Sequence, residues 1–225
     1  MKRLAEVDIA RLLALAYRPE TLAESEHQVA AYATVWQRAA VLLPLIRQRR
    51  EWHLLFIRRA DRLAHHQGEV AFPSGACQPA ETPEQTALRE AEEEIGLPAP
   101  EVRLLGRLQD IVTSTAYRVT PVVGVIPWPY PVRLSPAEVA RIFTVPLPWL
   151  ARRGNWHTTP YDPGDGRDPF EVVVYRPYEG EVLWGASARI VHMQMPPPAG
   201  QTITLTRLSA AHSAGLRSLA AIARL

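Results

Sequence analysis

Gly75 to Leu97 reads GACQPAETPEQTALREAEEEIGL, and the spacing of its glycines and carboxylates decides how the rest of the chain is read. Gly75 is followed after five residues by Glu81, and after seven more by Arg89-Glu90-Ala91-Glu92-Glu93-Glu94-Ile95-Gly96-Leu97. The middle of the stretch has a helix start. Thr82 can cap, Pro83 suits the first helical position, and Gln85 completes a capping box. Gly96 followed by Pro98 supplies the stop. On that helix Leu88, Ala91 and Ile95 share one face, and Glu90, Glu93 and Glu94 are expected on roughly the opposite one. Glu90 and Glu94 form a like-charge i,i+4 pair in the last turns, at the negative end of the helix dipole. Each effect costs from a few tenths to about 1 kcal/mol. A divalent cation reverses the sign of both terms, and oxygen-only ligands select a hard ion, Mg²⁺ or Mn²⁺, over zinc. A charge run alone is usually a solvated helix face. Here the glycine loop, the cap and the spacing come with it.

The stretch resembles the Nudix box, the shared motif of hydrolases that cleave nucleoside diphosphates linked to another group. Seven fixed residues at fixed spacing recur by chance in about one window in 10⁹, which makes the match specific where a lone glycine-rich loop is not. The resemblance implies an α/β/α sandwich with a mixed sheet, the box forming a loop-helix-loop. It also implies metal ligands at Glu90, Glu93 and Glu94, with the carbonyl of Ser74 or Gly75 adding another. Arg89 is expected to hold a glutamate in place, and Glu81 to support the loop through Arg89. The general base is left between Glu93 and Glu138.

The resemblance continues outside the box and is there most like the coenzyme A pyrophosphatases. Arg59, Ala60, Gly68, Phe72, Pro73 and Gly75 fit the segment that precedes the box in that subfamily. Val119 to Gly124, Glu138-Val139, Phe143, Val145-Pro146-Leu147, Trp184-Gly185 and Ala188-Arg189 fit it downstream. Together these cover about Arg38 to Arg189. Three positions depart: Ala64 stands where the family has arginine, Ser74 replaces the first glycine of FPGG, and Ile57 replaces threonine. The arginine matters most, because coenzyme A carries a 3′-phosphate and a diphosphate, and a guanidinium pairs with either. Arg58, Arg59 and Arg62 lie nearby, and with Phe72 they are the candidate substrate-binding residues. For coenzyme A the implied products are 3′,5′-ADP and 4′-phosphopantetheine. Ala64 favours instead another nucleoside diphosphate derivative, such as ADP-ribose, NADH or a dinucleotide polyphosphate. A silent nucleotide-binding module is expected to lose box glutamates, and all are present.

Composition narrows the class. The 225 residues suffice for a single domain, its core at about 38–190 with helical extensions at both ends. The chain is 47% hydrophobic and 21% charged with a formal net charge of +2, which gives no ground for nucleic-acid or membrane binding. The expected partner is a small nucleoside diphosphate. Members of the family are often dimers, but no stretch here marks a dimer surface. One cysteine, Cys77, rules out an intrachain disulfide and fits a cytoplasmic location; it reads as a small filler in the loop. His65 and His66 lack further ligands at metal-binding spacing. Ser187, His157 and Asp162 form no recognisable triad.

Along the chain, Leu4 to Tyr17 reads as an amphipathic helix closed by Pro19. Gln37 to Ile46 and Trp52 to Arg59 read as strands joined by a hairpin at Arg47 to Glu51. Glu69 to Phe72 is a short strand entering the box loop. Strands follow around Val102 to Asp110 and Tyr117 to Ile126, then a short helix starting at Ser135-Pro136-Ala137-Glu138. After a turn-rich loop at Tyr161 to Pro169, Phe170 to Tyr175 is a strand. Trp184 to Met193 and Leu208 to Leu225 read as helices. Strands and helices mix without a βαβ repeat, which argues for an α+β layered domain with a mixed sheet.

Overall fold

The structure is a computed structural model that describes residues 5–17, 36–62, 66–164, 166 and 168–194. The expected helix over Leu208 to Leu225, and the positions Ala64 and His65, lie outside the described residues.

The sheet grows from two long strands, β1 (Gln37–Gln48) and β2 (Glu51–Arg59), joined by the expected tight hairpin. Eight successive residues of β1, Ala39 to Ile46, are buried, as in a central strand covered on both faces. The two strands pair only from Leu45↔Leu54 to Gln48↔Glu51 and then splay apart. The next stretch of chain fills the gap. β3 (Val70–Ala71) pairs with β2, and β4 (Ser74–Ala76) pairs with β1 at Ala39 to Val41. Pro44, which has no N–H to give, sits where β1 exchanges one partner for the other. This crossing delivers the box loop into the sheet.

β5 (Arg103–Arg107) and β6 (Ile111–Val112) pair with β7 (Tyr117–Val125), which runs parallel to β1 and makes the sheet mixed. β8 (Val139–Pro146) lies along the other edge of β2. A separate ribbon of β9 (Trp156–Tyr161) and β10 (Phe170–Tyr175) completes the strands.

Alternation along β1 and β2 sorts the core into two layers. Leu43, Leu45, Leu54 and Phe56 face α1 (Glu6–Ala16), the β9–β10 ribbon and α4 (Gly185–Gln194). Ala40, Leu42, Leu55 and Ile57 face the box helix, α2 (Pro83–Ile95). The α+β sandwich is therefore as expected, except that a β-ribbon shares one outer layer with helices. No helix among the described residues is long and apolar enough to cross a membrane.

The box helix starts and stops on the foreseen residues. Thr82 Oγ1 accepts from the Gln85 N–H at 3.2 Å, and the Thr82 N–H donates back to Gln85 Oε1 at 2.8 Å. Gly96 ends it at φ +66°, and a Cβ there would stand 2.7 Å from Arg133 Cβ, so both conformation and space demand glycine.

Two expectations need correction, and two elements are new. Ser135 to Glu138 makes a single turn, not a helix: the N–H groups of Glu138 and Val139 both bond to the Ser135 carbonyl, and β8 begins at once. Val139-Ala-Arg-Ile-Phe-Thr-Val pairs along β2 from Arg59 to Leu54, and this ladder outweighs the local Pro136 helix signal. The strand β9 and the short helix α3 (Leu147–Leu150) had no reading of their own. Phe72 presents no ring to a substrate. It is 1% exposed and packs on Phe56, with ring centroids 4.5 Å apart.

Phe72→Ala should therefore cost stability, about 3–5 kcal/mol, read by denaturant unfolding. A loss under about 1 kcal/mol would contradict the core assignment.

Candidate active site

Taking about 100° per residue, Ala87, Ala91, Ile95 and Glu94 fall within one arc of about 100° on α2, with Glu90 at its border. This corrects the expected opposition of apolar and acidic faces. Glu94 lies within the buried face and is 4% exposed, while Leu88 is only half-buried. The helix sets this flank against β4, and Gly75 makes the approach possible. A Cβ on Gly75 would stand 2.0 Å from Glu90 Oε1 and 2.2 Å from its carboxyl carbon. The glycine is needed for space, because the Glu90 carboxylate occupies the volume a side chain would take.

The register of β4 decides how Ser74 is used. In an antiparallel ladder, successive residues point their polar backbone groups to alternate sides. The Leu42 N–H donates to the Pro73 carbonyl at 2.9 Å and the Cys77 N–H to the Arg38 carbonyl at 2.8 Å, so residues 73, 75 and 77 turn toward β1. The N–H and C=O of Ser74 turn the other way. Its N–H donates to Glu94 Oε2 at 3.1 Å.

Arg89 joins the loop to the helix. Its Nε donates to Glu81 Oε1 at 2.9 Å and its Nη2 to Glu81 Oε2 at 3.2 Å, a two-point grip on one carboxylate. Nη1 reaches Glu90 Oε1 at 2.6 Å and Glu93 Oε2 at 3.2 Å, and Nη2 also donates to the Ala76 carbonyl at 3.1 Å. Glu81 takes two further bonds, from the Gln78 N–H at 2.9 Å and from Thr86 Oγ1 at 2.8 Å. Hydrogen bonds from Arg89 first, then from Gln78, hold the Glu81 carboxyl down at about 2. Thr86 escaped the reading of the sequence. It is fully buried at the first turn of α2, and nothing in one sequence separates such a threonine from an ordinary core filler.

Burial pushes Glu94 up to about 8, against opposing pulls from the Ser74 N–H and Arg59. Glu90 is raised for the same first reason, although Arg89 acts against it. The charge of exposed Glu138 raises both further. Glu138 arrives here because the Ser135 N–H bonds to the Glu94 carbonyl at 2.9 Å and the Ala60 N–H to the Glu138 carbonyl at 2.8 Å.

The candidate arginines separate. Arg59 Nη1 lies 3.8 Å from Glu94 Oε1. Arg58, one residue earlier, points to the other face of β2, where it pairs with Asp61 at 2.7 Å and Glu181 at 3.6 Å. It is spent on that face and does not join the carboxylates. Arg62 donates to the Pro136 carbonyl in the loop that carries Glu138. Glu93 stands at the solvent rim of the site.

Among the described residues, no three carboxylate, imidazole or thiol groups stand close enough to hold an ion as they lie. The donor set nonetheless fits a hard divalent cation. All donors are oxygens, burial raises both Glu90 and Glu94, and the Glu90 carboxylate lies in the space left by Gly75. A cation there relieves the desolvation and the mutual repulsion together.

A family model described as the NUDIX domain matches residues 36–152. The uncharacterized Nudix hydrolase NudL of Yersinia pestis (strain Pestoides F) is 41% identical over 157 residues, covering 69% of this chain and 76% of that protein. The NudL of Yersinia pseudotuberculosis serotype O:1b (strain IP 31758) matches to the same extent. A crystal structure of RenU, a Nudix hydrolase from M. Smegmatis, is 27% identical with a TM-score of 0.44, covering 49% of this chain and 71% of that one.

Two predictions follow from this geometry. In cation-free buffer, the unfolded chain releases the Glu94 proton near 4.5, while the folded protein keeps it to about 8. Wild-type stability should therefore fall as pH rises across that window. Glu94→Gln removes the penalty. The variant should match wild type near pH 4.5 and exceed it by about 1–3 kcal/mol at pH 8.5; parallel denaturation profiles at all pH values would refute the buried, protonated Glu94. Gly75→Ala should fold, because the clashing atoms end a flexible side chain, yet bind Mn²⁺ at least about tenfold more weakly as Glu90 is displaced. Titration with the metal alone reads this, and unchanged affinity would remove Glu90 from the site.

Proposed function

This chain belongs to the Nudix hydrolase family, and from that premise we propose that it hydrolyses the diphosphate of coenzyme A or a derivative, in the cytoplasm, with Mg²⁺ or Mn²⁺. The family acts on diphosphate bonds of small nucleotides and generally needs divalent metal ions. Glu90, Glu93, Glu94 and the outward carbonyl of Ser74 would hold the cation. When bound, it supplies charge neutralisation on the phosphoryl oxygens and a water of lowered pKa.

The observation that carries the reading is the desolvated Glu90–Glu94 pair set against Gly75, with Glu138 beside it. Such an arrangement is costly in a bare protein and useful only around a cation. Arg89 orients Glu90 and Glu93 and touches no substrate. For the base we favour Glu138 over Glu93. Glu93 is bonded to Arg89, whereas Glu138 is exposed beside both buried carboxylates. Its carboxylate takes the proton of the attacking water as the new P–O bond forms and the bond from that phosphorus to the bridging oxygen breaks, the oxygen leaving with the electron pair on the other phosphate. From coenzyme A this yields 3′,5′-ADP and 4′-phosphopantetheine.

The choice of coenzyme A rests on the residues outside the box, from Arg59 to Gly75 and from Val119 to Arg189. One observation favours a different nucleoside diphosphate derivative, such as ADP-ribose, NADH or a dinucleotide polyphosphate. Ala64 replaces the family arginine, and of the nearby arginines Arg58 is committed to Asp61 and Glu181 and Arg62 to the Pro136 carbonyl.

A cation-dependent hydrolysis screen of coenzyme A, ADP-ribose, NADH and diadenosine polyphosphates, with products identified by mass, decides between them. Release of 3′,5′-ADP well above the other activities supports coenzyme A; cleavage of another substrate with coenzyme A intact rejects it. Glu138→Gln should lower kcat about 10²–10⁴-fold with Mn²⁺ affinity retained, and near-wild-type kcat would return the role to Glu93.

A further inference from the structure

Arg59 differs from every other arginine at this end of the sheet. Arg58 is paired with Asp61 and Glu181, Arg62 is bonded to the Pro136 carbonyl, and Arg89 makes five hydrogen bonds. Among the described residues the Arg59 side chain makes one polar contact, the ionic approach of Nη1 to Glu94 Oε1 at 3.8 Å. That is too long for a hydrogen bond. Its Nε is buried with no hydrogen-bond partner among the described residues. The backbone is not free to relax this, because the Arg59 N–H donates to the Glu69 carbonyl at 2.9 Å and the Ala60 N–H to the Glu138 carbonyl at 2.8 Å. A buried donor left unpaired is uncommon in a folded protein, and beside a carboxylate-lined site it is a position that a ligand can complete.

We propose that Arg59 is an exchangeable side chain, resting against Glu94 before a cation binds and passing to the substrate diphosphate once the cation takes Glu94, so that cation binding precedes substrate binding. This rests on the diphosphatase reading and adds an order of events to it. The physical basis is competition for one carboxylate. A guanidinium beside Glu94 Oε1 takes up one approach to that oxygen and repels an arriving cation. Once the cation holds Glu94, the guanidinium loses its partner and its fork faces the site. A diphosphate offers that fork two oxygens at matching spacing, and the Nε–H can then be satisfied. The wall of the site makes the move short, because β2 alternation already turns Arg59, and not Arg58, toward α2.

The test uses the full chain, with Arg59→Gln and Arg59→Lys variants and two probes: Mn²⁺ alone, and α,β-methylene-ADP at saturating Mn²⁺, both by calorimetry. Arg59→Gln should bind Mn²⁺ about threefold to tenfold more tightly than wild type, because a repelling charge is gone. It should bind the analogue at least about tenfold more weakly. Arg59→Lys keeps the charge and loses the fork, so Mn²⁺ affinity should stay near wild type while the analogue weakens. A residue that only props up Glu94 would move both affinities the same way. The idea fails if Arg59→Gln weakens Mn²⁺ binding or if the analogue binds both variants as it binds wild type. Should Arg59→Gln not fold, Arg59→Lys alone decides, by whether the analogue is lost while Mn²⁺ is kept. Loss of turnover in Glu94→Gln together with unchanged analogue binding in the Arg59 variants would refute the exchange and leave the diphosphatase standing; undiminished turnover in Glu94→Gln would refute the diphosphatase site itself.

Discussion

One guanidinium ties the site to the fold. Arg89 grips Glu81 at two points, reaches Glu90 and Glu93 with Nη1, and bonds to the Ala76 carbonyl at the end of β4. Loop, strand and helix thus share one cation. Its position fixes three carboxylates that would otherwise repel one another, Glu81 just before α2 and Glu90 and Glu93 toward its negative end. Glu81 pays the entropic cost of the loop through four donors, and its two oxygens are held by Arg89, Gln78 and Thr86 together. Remove the guanidinium and both the loop and the pose of Glu90 lose their anchor.

The second constraint is steric. Gly75 lacks the side chain that would collide with the Glu90 carboxylate, so α2 can lie close enough to β4 for the Ser74 N–H to reach Glu94. That closeness strips water from both carboxylates and raises them. The same contact which makes the bare site electrostatically costly makes it receptive to a divalent cation. Stability and function pull against each other here, and the fold tolerates the conflict because the two layers around it are well packed.

The splay between β1 and β2 is what brings these parts together. β2 leaves β1 after Leu54, β3 and β4 enter the gap, and the end of β2 is turned toward the box helix. Arg59 thereby meets Glu94, and the turn at Ser135 to Glu138, tied to the C-terminus of α2 and to Ala60, adds a fourth carboxylate from a distant part of the chain. The residues outside the box divide accordingly. Leu55 to Ile57, Val119 to Gly124 and Phe143 to Val145 build the sheet, while Arg59 and Glu138 reach the site.

By itself, the sequence determined the box, its helix and both helix ends, because capping, proline and left-handed glycine are local chemistry written in adjacent residues. It also carried the central hairpin, through the continuous apolar runs of β1 and β2 and the charged residues between them, and the Arg89–Glu81 link, through the resemblance of the motif. Only the tertiary structure decided which glutamate is buried. The sequence pattern centred the apolar face on Leu88, Ala91 and Ile95 and left Glu94 outside it, but the buried face is that of Ala87, Ala91 and Ile95, against β4, and Glu94 lies inside. The sheet likewise turned Arg58 away and Arg59 inward, sank Phe72 into the core, and made a strand of Val139 to Pro146 where Pro136 locally favoured a helix. Each of these outcomes depends on a partner far along the chain, and a local pattern cannot encode the position of a neighbour it does not contain.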